Sequence, residues 1–216
     1  MMKNEYEVEN NRMIVEQIIR RGITEERLIS AIRSVPRHLF VLDDYRKFAY
    51  SDSPLSIGFG QTISQPYIVA LMISELHLNG TEKVLEVGTG CGYQAAILAN
   101  MAEKIITMEL IPELAERASQ TLKLLGLMKV QVITGDGSVG WPTGAPYDAI
   151  VVSAAAPKVP DPLLEQLGKS GRLILPVGEW GMQQLEIWTR TNTEISRDVS
   201  IPVAFVPLRG KHGWTH

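Results

Sequence analysis

The sequence predicts an α/β protein: a doubly wound, mostly parallel, seven-stranded sheet with an N-terminal helical extension and an antiparallel strand pair at the C-terminal edge. Three observations predict it. Between residues 81 and 180 short β-branched runs alternate with helical patterns, as a parallel sheet covered on both faces requires. The first of those runs ends in GTGCG (88–92), which suits a strand that turns sharply into a helix. Beyond residue 180 two β-rich stretches follow one another with no helix between them.

The elements follow in order. In the first zone, residues 1–80, Met13, Ile14, Ile18 and Ile19 recur at helical spacing. ITEERLISAIRSVP then offers Thr24 as N-cap, Glu25 and Glu26 in the first turn, and Leu28, Ile29 and Ile32 on one face, with Pro36 as the stop. SIGFGQTISQP (56–66) reads as a polar, glycine-laced loop, and YIVALMISELHL after it as a buried helix. In the second zone, residues 81–180, KVLEV (83–87), KIITME (104–109), KVQVIT (129–134), DAIVVS (148–153) and RLILPV (172–177) are strands. YQAAILANM (93–101), ELAERASQTLKLL (113–125) and PLLEQL are the helices between them. The last zone, residues 181–216, holds QQLEIWTR and EISRDVSIPVAFVPL on either side of TNT. The three zones form one domain over residues 1–216.

Composition narrows the function. Hydrophobic residues make up 45% of the 216, enough for a core without staples. The formal charge of −3, with no basic tract, argues against nucleic acid and anionic membranes as partners. Cys91 is the single cysteine, so no internal disulfide forms and a reducing compartment fits. MMKNEYEVENNRM lacks the apolar centre of a signal peptide, and no apolar run approaches the roughly 20 residues of a membrane span. A cytoplasmic location is the expectation. His38 and His77 stand alone, and His212 and His216 lie where helix is doubtful, so no metal site is expected.

The chemistry concentrates in the glycine turn. Gly88, Gly90 and Gly92 let the backbone come close to a ligand beside a helix N-terminus. Glu109 ends the second core strand, 21 positions after Gly88 (109 − 88), where an acid can accept both ribose hydroxyls. Asp136, after the third strand, suits an adenine amino group; an ordinary turn aspartate before glycine is the plain alternative. Thr89 and Tyr93 in the turn, Leu110 after Glu109 and Gly137 after Asp136 complete the cofactor set. The ligand is then an adenosine compound. Dinucleotide sites read G-x-G-x-x-G, whereas this one reads G-x-G-x-G with Tyr93 next. Glu86, just before the turn, would repel a pyrophosphate but suits a cationic ligand. Both points favour S-adenosylmethionine over a nicotinamide dinucleotide.

The longer motifs are more specific. VLEVGTGCGYQAA, with SIGFGQTISQPYIVA upstream and DGSVGWPTGAPYDAIVVSAAAP, GRLILPVG and FVPLRG downstream, resembles the protein-L-isoaspartate O-methyltransferase family over roughly residues 25–210. Cys91 departs from the family's usual serine. The resemblance implies a Rossmann-like methyltransferase sheet, S-adenosylmethionine as cofactor, and the free α-carboxylate of an L-isoaspartyl residue in damaged proteins and peptides as acceptor. It implies Ser64 as the catalytic-site residue in a positioning role. It also points to Gln61, Thr62, Ile63, Ala155, Ala156 and Val206 as substrate contacts; a monomer is the expectation, though the sequence does not give the oligomeric state.

That reaction explains a loop with nothing to titrate. An α-carboxylate has a reference pKa near 3.5, so it arrives ionised at neutral pH. It attacks the methyl of a cation in line, and no proton has to move. The protein must supply alignment, which is worth roughly 7–11 kcal/mol, and exclude water. Hydroxyls and backbone N–H groups hold the carboxylate without neutralising it. Ser64 has a plainer alternative as a cap for the helix at Pro66. SAAAP (153–157) either leaves room for a peptide or serves close packing, and FVPLRG either pairs with the peptide or is an edge strand. The N-terminal helices are expected to act as a lid, and the scattered Trp141, Trp180, Trp188 and Trp214 as core or rim. Rival readings are a methyltransferase for RNA or a small molecule, a non-catalytic adenosine-binding regulator, and a dehydrogenase.

Overall fold

The structure is a computed structural model that describes residues 2–214; His216 lies outside them. One sheet of seven strands has the order β5-β4-β3-β6-β7-β8-β9: β3 (Lys83–Val87), β4 (Lys104–Glu109), β5 (Val130–Thr134), β6 (Tyr147–Val152), β7 (Leu167–Val177), β8 (Gln183–Arg190) and β9 (Ile195–Val203). A separate two-stranded sheet joins β1 (Leu55–Gly58) to β2 (Gln61–Ile63). In the large sheet β5, β4, β3, β6 and β7 are parallel, and β8 and β9 complete it antiparallel.

Alternate residues of the central strands enter different cores. Val84, Ile105, Ala149 and Val151 join the core on one face, while Leu85, Ile106, Ile150 and Val152 join the core on the other. Both sets are fully or nearly fully buried, which is why these runs are apolar throughout rather than alternating. The first core takes in α4 (Tyr93–Ala99) and α5 (Pro112–Leu124); α6 (Asp161–Gln166) supplies Leu163 to the second. The chain winds outward from β3 through β4 to β5, then returns to β6 on the other side of β3. The crevice at that reversal, outside the carboxyl ends of the strands, is where open α/β sheets bind ligands.

The N-terminal zone differs in detail from its sequence reading. Helix α1 (Met2–Met13) continues as a π-helical turn over Ile14–Ile18 and a 3₁₀ turn over Ile19–Arg21, stopped by Gly22 at φ +95°. Helix α2 (Glu26–Ser34) starts one residue later than a Thr24 cap allows. Its N-cap is Glu25, without a side-chain cap bond, and Glu26 is the acid of its first turn. The helix is held instead by Leu28, Ile29 and Ile32, buried beside Met72 and Ile73 of α3 (Pro66–Ser74) and Ile97 and Leu98 of α4. Packing outweighs the missing cap. Thr24→Ala should therefore change stability by less than about 0.5 kcal/mol, where a true N-cap would cost about 1; urea denaturation decides between them.

Helices α1 and α2 belong to the main core and none of their described residues borders the ligand crevice, whereas α3 places Val69 in its wall. The polar stretch is not a loop. Leu55 pairs with Ile63 and Ser56 with Thr62, and the tip Gly58-Phe59-Gly60 carries φ of +90°, +54° and +70°. Two arginines tie this hairpin down: Arg117 of α5 donates to the Ile57 carbonyl at 2.5 Å, and Arg37 to the Ser64 carbonyl at 2.6 Å. After β9, residues 205–209 double back beside the end of β6, with Ala155 N–H donating to Val206 and Leu208 N–H to Ala155.

Candidate active site

An open cleft of about 860 Å³, solvent mouth included, lies over the carboxyl ends of β3, β4 and β6. Its walls come from the hairpin (Gln61 to Ser64), the glycine turn, the end of β4, Ser153 and Ala154 after β6, and Val206 to Arg209.

The half formed by the glycine turn and β4 is acidic. Gly88 and Gly92 sit at φ +92° and +89°, which side-chain-bearing residues rarely adopt. This turn brings the Gly90 N–H to within 2.7 Å of the Glu109 carboxylate, whose second oxygen accepts from Ile111 N–H at 3.0 Å. Two backbone donors therefore fix Glu109 in one orientation, and its outer lone pairs remain for a ligand. Glu86 lies one layer below the cleft and is fully buried. It accepts from the Thr107 hydroxyl at 2.5 Å, and Thr107 in turn meets the Thr89 hydroxyl at 2.6 Å. Its other oxygen has no partner. Burial pushes the Glu86 carboxyl up to about 8; the Thr107 hydroxyl pulls it down, and the nearby Glu109 carboxylate raises it further.

The hairpin half carries no ionisable side chain at residues 55–64. The N-cap of α3 is Gln65, and that cap has no side-chain bond, so Ser64 does not cap the helix. Among the described residues the Ser64 hydroxyl has no hydrogen-bond partner, although Ser64 lines the cleft. Behind it lies Arg37, fully buried, which donates to the Ala49 carbonyl at 2.7 Å and stands 4.7 Å from the centre of the Tyr93 ring.

A family model described as protein-L-isoaspartate(D-aspartate) O-methyltransferase matches residues 8–213. The chain belongs to this family. A protein-L-isoaspartate O-methyltransferase from Picosynechococcus is 51% identical over 199 residues, 92% of this chain and 89% of that one. The enzyme of the same name from Methanoculleus marisnigri is 48% identical over 206 residues, 95% of this chain and 94% of that one. A Plasmodium falciparum chain described as a protein-L-isoaspartate O-methyltransferase, crystallised with S-adenosyl-L-homocysteine, superimposes with a TM-score of 0.80 at 25% identity, covering 93% of this chain and 98% of that one.

The cofactor of this isoaspartate methyltransferase is S-adenosyl-L-methionine, and the residues present fit it. The acidic half offers Glu109, poised by two amides, for a ribose, and the unpartnered Glu86 oxygen for a positive charge nearby. Among the described residues the cleft wall holds one arginine, Arg209, and it comes from the closing segment. Among the described residues no cluster of three or more His, Cys, Asp or Glu is gathered for a metal ion.

Of the residues read from the sequence, Gln61, Thr62, Ile63, Ser64, Gly88, Thr89, Gly90, Tyr93, Glu109, Leu110, Gly137 and Val206 line the cleft. Glu86, Gly92, Asp136, Ala155 and Ala156 do not. Ala155 and Ala156 are fully buried and use their backbone groups on Val206, Leu208, Pro176 and Gly178; Ser153 and Ala154 take the place expected for them. The Asp136 carboxylate is a structural fastener. One oxygen accepts from the Ser138 amide and hydroxyl, and the other from Lys211 N–H, so the aspartate joins the β5 turn to the closing segment. These bonds hold its pKa below the usual carboxylate value, against the opposing push of burial. Missed by the sequence reading were Gln94, which donates to Ser153 at 3.0 Å, and Arg37; neither stands in a spacing pattern that marks it.

The sign of the Glu86 shift has a measurable consequence. Folding raises its pKa from 4.5 to about 8, so the folded chain holds a proton that the unfolded chain gives up across that window. The contribution of Glu86 to stability therefore falls as pH rises from about 4.5 to 8. A cation bound nearby favours the ionised form and releases this proton. Calorimetry of S-adenosyl-L-methionine binding at pH 6.5 in buffers of different ionisation enthalpy should show a release approaching one proton, lost in Glu86→Gln. No release from the unmutated protein would contradict it.

Proposed function

We propose that the β1–β2 hairpin holds the α-carboxylate of an L-isoaspartyl residue for the methyl transfer characteristic of the family, with Ser64 as the group that fixes its direction. The observation that carries this reading is the Ser64 hydroxyl, which lines the cleft with no partner of its own and no capping duty. The cofactor, when bound, supplies a methyl group on a cationic sulfur. The protein's side chains need not move a proton, because the nucleophile arrives already ionised. Ser64 has no adjacent base and cannot act as a nucleophile itself. Gln61, Thr62 and Ile63 would border the acceptor on one side, and Val206 on the other; Val206 N–H is free for an extended peptide because only its carbonyl is used, by Ala155. Glu109 and the glycine turn would hold the adenosine moiety.

The test supplies methyl-labelled S-adenosyl-L-methionine with a peptide containing L-isoaspartate and with its normal aspartyl twin. Base-labile label is expected on the first alone. Equal labelling of both, or of neither, would overturn the acceptor.

We also infer that the enzyme works as a monomer in the cytoplasm, without a nucleic-acid partner. The net charge of −3, the lack of a basic tract, and a sole cysteine that is buried support this. Among the described residues no helix is long and apolar enough to cross a membrane.

A further inference from the structure

A fully buried arginine normally needs a carboxylate, because an ion removed from water without a counter-ion is costly. Arg37 has none. No described acid lies within ion-pair distance of it. Its Nε and one Nη donate to the neutral carbonyls of Ala49 and Ser64, its face lies near the Tyr93 ring, whose hydroxyl is a neutral group close enough to favour the charge, and among the described residues the other Nη is buried with no partner at hydrogen-bond distance. Three of the neutral groups near it, Ser64, Tyr93 and Cys91, are also walls of the cleft.

The charges around the cleft are thus sorted by side. Glu109 stands at the end of β4, and the buried guanidinium stands behind the hairpin. Arg209 also borders the cleft but is exposed, so water and salt weaken its field. A cationic donor and an anionic acceptor would each meet the opposite charge at its own end. The Ser64 carbonyl stands between Arg37 and the cleft, so the arginine attracts the acceptor without forming the direct ion pair that would quench its nucleophilicity.

We propose that Arg37 is a positioning residue and that the acceptor carboxylate of the substrate is its missing counter-ion. The proposal rests on the acceptor reading given above. Its guanidinium keeps its charge at neutral pH, as arginines do in proteins. It does two things through the Ser64 carbonyl: it holds the end of the hairpin in place, and it makes the desolvated acceptor end of the cleft favourable to an anion.

The experiment measures peptide binding to the enzyme saturated with S-adenosyl-L-homocysteine, by calorimetry. The ligands are an L-isoaspartyl peptide and the same peptide as its neutral α-methyl ester. Arg37→Met should bind the carboxylate peptide roughly 10- to 100-fold more weakly, with the ester and S-adenosyl-L-homocysteine bound as before. Arg37→Lys, which keeps the charge in a poorer fork, should recover most of the loss. Equal weakening of carboxylate and ester, or an Arg37→Lys variant as poor as Arg37→Met, would reduce Arg37 to a packing role and overturn the proposal. Should Arg37→Met not fold, Arg37→Ala with added guanidinium ion replaces it: recovery of carboxylate binding supports the proposal, and recovery of folding without it refutes it. If the unmutated enzyme fails to prefer the isoaspartyl peptide over the aspartyl one, the acceptor reading itself fails; preference in the unmutated enzyme that survives in Arg37→Met sinks only the role of Arg37.

Discussion

Glu109→Ala is expected to weaken S-adenosyl-L-homocysteine binding by roughly 30- to 1,000-fold. The size follows from two charge-assisted hydrogen bonds to a ribose, together about 2–4 kcal/mol, with each 1.4 kcal/mol a factor of ten. The same change removes the acceptor of the Gly90 and Ile111 amides, so the glycine turn loses its tether to β4. Both donors are part-buried in the cleft wall and can turn to water, so the stability loss should be about 0.5–1.5 kcal/mol. Glu109→Gln separates the effects, since one amide oxygen can still accept from the turn while a ribose contact is reversed in polarity. It should recover more stability than affinity. Calorimetry with S-adenosyl-L-homocysteine and a urea titration give both numbers, and affinity within threefold of the unmutated protein would exclude Glu109 as the ribose anchor.

Ser64→Ala should lower kcat/KM by about 100-fold, near the loss seen when a single preorganised hydrogen-bond donor is removed from an active site. Cofactor affinity and the denaturation midpoint should not change. That split is specific to this structure. Among the described residues the Ser64 hydroxyl makes no hydrogen bond and the α3 cap is Gln65, so its removal costs the folded state no bond. The backbone of Ser64 stays anchored through the Arg37 bond to its carbonyl. A drop in thermal stability with turnover intact would mean that the hydroxyl serves the fold.

What the sequence made legible is what depends on regular patterns. The parallel strands stand within a few residues of their apolar runs because the central ones are buried on both faces and all are flanked by turn residues, while β5, at the edge, is only partly covered. The glycine turn and Glu109 were legible because left-handed backbone and close approach leave few residue choices. The hairpin was not, since two short strands with a bulge between Ser56 and Gly58 show no alternation long enough to stand out. Thr24 and Asp136 are used differently from their sequence reading for a shared reason. Each is a good local partner for a nearby amide, but only tertiary contacts decide whether it is used: α2 begins without Thr24, and Asp136 serves Lys211 from the far end of the chain. Ala155 and Ala156 were rightly read as small, but their size makes room for residues 205–208 and not for a ligand. Arg37 was illegible because a lone arginine between a proline and a histidine looks like any surface residue until its burial is seen.

The two halves of the cleft have separate origins in the chain. The adenosine side is one continuous stretch of sheet and turn, from Glu86 to Ile111, whereas the acceptor side is assembled from the β1–β2 hairpin and the segment after β9. Each can vary without disturbing the other's strands. Lineages could therefore retune which damaged sites are chosen by altering two surface pieces, and laboratory grafts of those pieces between relatives should transfer preference for flanking residues while the methyl-donor machinery is inherited untouched.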